Sequence, residues 1–487
     1  MRDFITEIRK IPTSTVLHTF SNISIDMFRK QECQIKVPIA IMRKGCIKRG
    51  TVLLMGWDIH SIAYHSVLNG TDYRSSSREP SVAEIINLYR GYDNENSVAG
   101  KIGTADVDGI FRILMGMTSE QFMFQHLNLI FEKFNRDYYI LLAAEHFEHR
   151  SELDVNCIVK EMFGYSADDY IAILMLVFWL CNQNPDPFKA MDNVKLETDS
   201  SLLSLQNLER FIQYYSCTYE DLKDTKLGKQ LLYSKPFIRT QRDGNYITSN
   251  MFLVAFMMGN GLYWLARDYY CKRKSQHFVN TFGLLFEDYI IDLAGRYCEE
   301  GECRQLPKGN KKGADFLLDL GDILFLIESK SALLPLSVKQ QVPDIDQADR
   351  FFTQTIDEAY EQLVSSYEQI KETSTKTIIK VVLLYDDFSN TGIIEKAMTE
   401  IFDNDSQCFV MTIRELEVLL YLHKQGSPKV DVICEKIHKQ INKTGERRSL
   451  GAIFESLDIY DNPHLSGNMD YFQKLLKHLE KQLKQNT

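Results

Sequence analysis

Apolar and polar positions follow different periods in different parts of the chain. Residues 30–65 mix β-favouring runs, QIKVPIAIM and TVLLMGW, with glycine and basic residues, which predicts a small sheet. From about 81 to 225 the apolar positions recur at helical spacing. Capping boxes mark helix starts there at Ser151 with Asp154, Ser166 with Asp169 and Thr218 with Asp221. In each, a hydroxyl caps the first turn and an acid three residues on reaches back to the cap amide. Within 236–250, two short β-favouring runs flank Asp243-Gly244, a dipeptide that tolerates the positive φ of a tight turn, so a hairpin is predicted. A long helix follows over about 250–270 and ends at the basic cluster CKRK (271–274), where a domain boundary is expected.

The remainder alternates between the two periods. A helix is predicted over about 277–298, with Phe282, Phe286, Tyr289, Ile290 and Leu293 on one broad face. Two strands, 313–319 and 322–330, flank the turn at Leu320-Gly321. A helix over about 351–372, a strand over 377–387, a helix near 391–402, the strand CFVMT (408–412) and the helix IRELEVLLYLH complete the series. This α-β-β-α-β-α-β-α order predicts a layered α/β domain with a mixed sheet flanked by helices, behind a large, mainly helical N-terminal region. The expected division is 1–80 as a small mixed segment, 81–275 as a helical domain, 276–425 as the α/β domain and 426–487 as a helical extension.

The two most apolar runs are YIAILMLVFWLC (170–181) and MFLVAFMMGNGLYWLA (251–266). The first is too short to span a bilayer and the second is broken by Asn260 between two glycines, so both read as buried helices. The N-terminal stretch MRDFITEIRK lacks the apolar segment of a signal peptide, and the ten cysteines form no CxxC pair or regular framework. These features lead to the expectation of a soluble, cytoplasmic protein with no membrane partner. The formal net charge is -10, and nearly all of the excess lies after about residue 276. Net charge therefore gives no sign of nucleic-acid binding, and any such function must rest on a local site.

One local constellation stands out. In a strand, residues i and i+2 face the same side, so Glu328 and Lys330 project together while Ser329 points away. The run before them, Ile323 to Ile327, is apolar on both faces, which suits a central strand covered on both sides. Antiparallel pairing through the 320–321 turn brings Asp315 beside Glu328. Asp319 is a rival acid, but it lies nearer the turn. Two carboxylates suit Mg²⁺, a hard cation that takes oxygen ligands and keeps several waters. Lys330 could hold the attacking water and stabilise charge that develops on a phosphate. The bland alternative is a surface ion pair at a strand end, worth little.

Asp315 followed thirteen positions later by Glu328-Ser329-Lys330 resembles the signature of the PD-(D/E)xK nuclease superfamily, which has the restriction-endonuclease-like fold. Glu287 in FGLLFEDYIIDL matches an acid that the family often carries on its first core helix, with Asp288 as its neighbour and rival. Gln362 in EAYEQLVSSY matches a glutamine on the helix after the motif, and FVMTIRELEVLL resembles the closing βα unit. Ala314, not Pro, precedes Asp315, a departure at a position where the superfamily varies. The resemblance covers about 277–425. It implies a nuclease dependent on Mg²⁺ or Mn²⁺, with DNA as the favoured substrate. Asp315 and Glu328 would bind metal, with Glu287 assisting; Lys330 would be catalytic and Gln362 would orient it. The family's habits also imply a place in bacterial defence against phage or foreign DNA, and a homo-oligomer or a partner protein.

Lys308, Lys311 and Lys312, just before Asp315, are candidates for nucleic-acid contact, or else a solvated lysine loop. The acidic balance after residue 276 argues for weak activity in isolation, with the basic stretch 29–49 or a partner supplying substrate contact. His60 and His65 have no cysteine or carboxylate set at ligand spacing and read as structural. The chain has no GxxxxGK[ST] and no GxSxG. The competing reading is an interaction or scaffold protein with a catalytically silent nuclease-like domain.

Overall fold

The computed structural model describes residues 3–485 apart from 44–45, 75–79, 97–120, 122–123, 125–126, 193–204, 308–312, 339–343, 387–400, 443–449 and positions 225, 274, 336, 404 and 468. Lys308, Lys311, Lys312 and most of the helix expected near 391–402 lie outside the described residues.

The small sheet predicted in 30–65 is a two-stranded antiparallel ribbon. Strands β1 (Gln34–Arg43) and β2 (Cys46–Met55) pair from Gln34↔Met55 to Arg43↔Cys46. The helices that matter for the interior follow: α1 (Val82–Asn96), α2 (Leu127–Tyr138) and α3 (Ala167–Cys181). The Ser166–Asp169 box closes the start of α3 with both reciprocal bonds, and Thr218 with Asp221 does the same for the helix Tyr219–Asp224. The box expected at Ser151 does not form. Asp154 is itself the cap of the helix Val155–Phe163, its carboxylate accepting the Cys157 amide at 2.9 Å. An aspartate caps as well as a serine, so the start moves three residues along.

A three-stranded sheet contains β3 (Ser216–Cys217), β4 (Phe237–Arg239) and β5 (Tyr246–Thr248). Strands β4 and β5 form the predicted hairpin, and Gly244 in its turn takes φ +67°. The apolar helix α4 (Met251–Lys272) follows, capped by Asn250. Its Gly259 is required by packing: a Cβ there would lie 2.7 Å from both a side-chain carbon and the carbonyl of Ile130, so α2 crosses α4 at a distance only glycine permits. Among the described residues no single helix is long and apolar enough to cross a membrane.

Helix α5 (His277–Tyr297) leads into a five-stranded mixed sheet. Its strands are β6 (Cys303–Gln305), β7 (Phe316–Leu320), β8 (Ile323–Lys330), β9 (Thr377–Leu384) and β10 (Cys408–Thr412), in the spatial order β10-β9-β8-β7-β6. The β6–β7 and β7–β8 pairs are antiparallel, and β8–β9 and β9–β10 are parallel. Gly321, at φ +73°, makes the tight β7–β8 turn possible.

Strand β8 is central and covered on both faces, as its unbroken apolar run predicts. Ile323, Phe325 and Ile327 pack with Phe282, Phe286 and Leu293 of α5 in the main core. Leu324 and Leu326 pack with Ala359 and Leu363 in a second core on the other face. These two lie on α6 (Glu358–Ile370). The segment before α6 differs from the expected continuous helix: Ile345–Phe351 runs through a π-helical stretch, Phe352–Asp357, which inserts an extra residue and rotates the face that follows. After β10 come α7 (Ile413–Lys424) and, near the C-terminus, α8 (Tyr471–Gln485). The aromatic ring of Phe472 on α8 packs against that of Phe131 of α2, with centroids 4.5 Å apart, so the end of the chain returns to the N-terminal helices.

Candidate active site

The site lies where β8 runs out of the two cores. Strand alternation places Glu328 and Lys330 on the face that α6 covers. Lys330 Nζ donates to Glu328 Oε1 at 2.7 Å and to Gln362 Oε1, on α6, at 3.1 Å. The sequence-predicted trio of Glu328, Lys330 and Gln362 is thus joined by direct contact.

Asp315 joins them by a different route. The ladder sets Phe316 opposite Ile327, yet Asp315 also donates its amide to the Ile327 carbonyl, at 2.9 Å. Two successive residues then face one, as in a β-bulge, a device that re-aims a side chain. The Asp315 carboxylate turns to Ser329, with Oδ2 accepting from the Ser329 amide at 2.9 Å and its hydroxyl at 2.7 Å. Ser329 points away from Glu328 and Lys330, as the alternation predicts, and from that opposite face its hydroxyl fixes Asp315, a contact the alternation alone does not show. Asp319, the rival acid, is bound to Lys376 at 2.6 Å near the turn.

Glu287 is on α5, over the other face of the sheet, and accepts from Gln305 Nε2 at 3.3 Å. Its neighbour Asp288 points elsewhere, to the amide and ring of His149. Glu287 still contributes charge to the site. The Glu328 carboxyl is pushed up to about 7, first by burial, then by the negative charge of Asp315, against the pull of Lys330, with Glu287 adding a smaller push. Asp315 and Glu287 therefore both act on Glu328 at the end of β8.

The fit of a cation can be judged from Glu328. It is buried, and its Oε2 has no hydrogen-bond partner. A buried carboxylate oxygen without a donor is costly, and a divalent ion is one group that would satisfy it. The donors are hard oxygens, as Mg²⁺ and Mn²⁺ prefer. Among the described residues no group of three or more His, Cys, Asp or Glu side chains has the spacing of a metal site, so a bound ion would draw its other ligands from water and substrate.

A second buried cluster was not legible as a site. In α2, Arg136 donates from Nε and Nη2 to the two oxygens of Glu417, on α7, at 2.7 and 2.8 Å, both side chains fully buried. Tyr289 and Asn462 also donate to Glu417, each at 2.6 Å. Burial alone would raise this carboxyl, but the Arg136 guanidinium overrides it and holds the group below the usual range. The cluster reaches the site through Tyr385. Its amide donates to the Lys330 carbonyl at 3.0 Å, and its hydroxyl donates to Asp137 of α2. His60 and His65 lie in neither cluster; burial holds the His60 imidazole far down and His65 at about 4.

Compared with protein-family models, curated proteins and solved structures, the chain matches none.

Proposed function

We propose that this protein hydrolyses phosphodiester bonds of nucleic acid, on a restriction-endonuclease-like core of the PD-(D/E)xK kind, with Mg²⁺ or Mn²⁺ as cofactor and DNA as the favoured substrate. The observation that carries this reading is the contact set at the end of β8, in which Lys330 is held between Glu328 and Gln362 while the buried Glu328 Oε2 is left without a donor.

Asp315 and Glu328 would hold the ion, and Glu287 would add negative charge from the other face. When bound, Mg²⁺ neutralises charge on the scissile phosphate and makes water more acidic. The chain's own groups do the rest. Ser329 fixes Asp315, so one ligand is oriented before substrate arrives. Gln362 accepts from Lys330 and restricts its ammonium to the site. From there Lys330 holds the attacking water and offsets the negative charge that grows on the phosphate oxygens. The acidic surface beyond residue 276 favours an enzyme that acts weakly alone and depends on a partner or a specific substrate, in keeping with a defence role.

The test is incubation of the purified chain with linear, circular and single-stranded DNA and with RNA, in Mg²⁺, Mn²⁺ or EDTA. Mn²⁺ binding is measured alongside by calorimetry. Metal-dependent cleavage is expected, falling about 10²–10³-fold in Lys330→Ala, the size of effect seen when a charge-stabilising donor is removed. Asp315→Ala should lose Mn²⁺ binding as well. Cleavage that survives both substitutions would remove the site from the reaction. The scaffold reading draws on the lack of a three-residue ligand group among the described residues. It wins if the folded chain neither binds Mn²⁺ nor cuts any substrate.

A further inference from the structure

The β1–β2 ribbon is set apart from the rest of the molecule by charge and by shape. Residues 34–55 contain five basic side chains and no acidic one, in a chain whose net charge is -10. Their backbone forms one uninterrupted antiparallel ladder from Gln34↔Met55 to Arg43↔Cys46. At about 3.4 Å per residue, such a ladder is roughly 30 Å long.

Among the described residues, the anchoring contacts lie at the open end of the ribbon. Leu54 is buried, and Ile35, Val37 and Val52 pack against the main core. Arg90 of α1 clamps β2, donating from Nε and Nη2 to the Leu53 carbonyl at 3.1 and 3.0 Å, and it also pairs with Asp58. Lys36, between the anchored Ile35 and Val37, and Arg49, farther along the ribbon, are both exposed. Lys36 pairs with Leu53 and Arg49 with Ala40, so alternation puts both cations on one face of the ribbon. A two-stranded sheet has two open edges, and lysines or prolines such as Pro38 commonly protect such edges from pairing with another chain. Edge protection is served by charge of either sign. Five cations without one acid select a polyanion.

We propose that this ribbon is the arm that grips duplex nucleic acid, lying in the major groove with Lys36 and Arg49 on the flanking phosphates. That groove is about 12 Å wide and admits a two-stranded ribbon. The proposal rests on the phosphodiesterase reading for its choice of polyanion, and it supplies the attraction that the acidic α/β part lacks.

The experiment uses the full chain in EDTA, so that binding is read without cleavage. Anisotropy of a labelled short duplex DNA is followed across a salt series, beside single-stranded DNA and phosphatidylserine vesicles. Wild type should bind the duplex best. The double variant Lys36→Ala/Arg49→Ala should lose about tenfold or more in affinity, and its log K against log salt should flatten by about 2, close to one unit per lost phosphate contact. Its melting curve checks that it folds. Equal binding by the ribbon variant and wild type overturns the proposal, as does no duplex binding or a preference for vesicles or single strands. A chain that binds duplex through the ribbon but never cuts it would sink the nuclease reading and leave the arm standing.

Discussion

Glu417 and Glu328 are both buried glutamates with a cation at 2.7 Å, and they are in opposite electrostatic states. Glu417 has four donors from three side chains on three separate segments, and its carboxyl is held below the usual range. Glu328 has Lys330 on one oxygen and no donor on the other, and its carboxyl is pushed up to about 7. Burial is common to both, so the difference lies in satisfaction. A buried charge with every lone pair used fixes how elements sit together; one with an oxygen left over has capacity for a ligand. The first arrangement joins α2 to the helices beyond the sheet, and the second lies at the strand end that the joint supports through Tyr385.

The largest effect that tests this contrast is on stability. Arg136→Ala leaves Glu417 buried without its guanidinium and should cost about 3–5 kcal/mol, read as a lower denaturation midpoint. Replacing both partners with apolar residues, Arg136→Met with Glu417→Leu, should recover most of that loss. A cost under about 1 kcal/mol for the single change would mean that the pair is not a joint.

The next effect has the opposite sign. The folded-state value for Glu328 is about 7, against 4.5 for an ordinary glutamate. The folded chain therefore holds this proton where the unfolded chain has released it. The stabilisation from Glu328 is complete below 4.5 and disappears as pH rises through 7. Glu328→Gln should then be the more stable protein above neutral pH, by up to roughly 3 kcal/mol, with the gap closing in acid. Thermal melts of both proteins across pH measure it, and a variant less stable than wild type at every pH would break the contrast. The same change should abolish Mn²⁺ binding.

The smallest effect concerns orientation. Gln362→Ala removes one of the two acceptors that hold Lys330 and should cost about 1 kcal/mol of transition-state stabilisation, a several-fold fall in cleavage rate. Mn²⁺ affinity should not change, because Gln362 is not a proposed ligand. A full loss of cleavage, or a fall in metal affinity, would give Gln362 a different role.

The site was more legible than the joint, for a local reason. Glu328 and Lys330 share a strand, and one tight turn separates them from Asp315, so alternation and hairpin geometry bring them together. Even so, the sequence did not reveal the Ser329 bonds, because the bulge at Asp315 leaves no mark in the alternation of apolar residues. Arg136 and Glu417 are 281 residues apart. In α2 the run Glu132, Lys133, Asn135, Arg136 and Asp137 has the composition of a solvated face, yet all five are buried. Nothing within one turn of such a helix tells which neighbours will bring opposite charges to it.

By itself the sequence determined what short-range physics decides. The unbroken apolar run of β8, the Gly321 and Gly244 turns and the caps at Ser166 and Thr218 specify their elements through contacts a few residues long. It also fixed which acids and which lysine share a strand end. Tertiary structure alone decided that α2 lies in the interior, that Glu417 is fully satisfied and that Glu328 is not. Those outcomes depend on desolvation and on donors from distant segments, which exist only once the chain has closed around them.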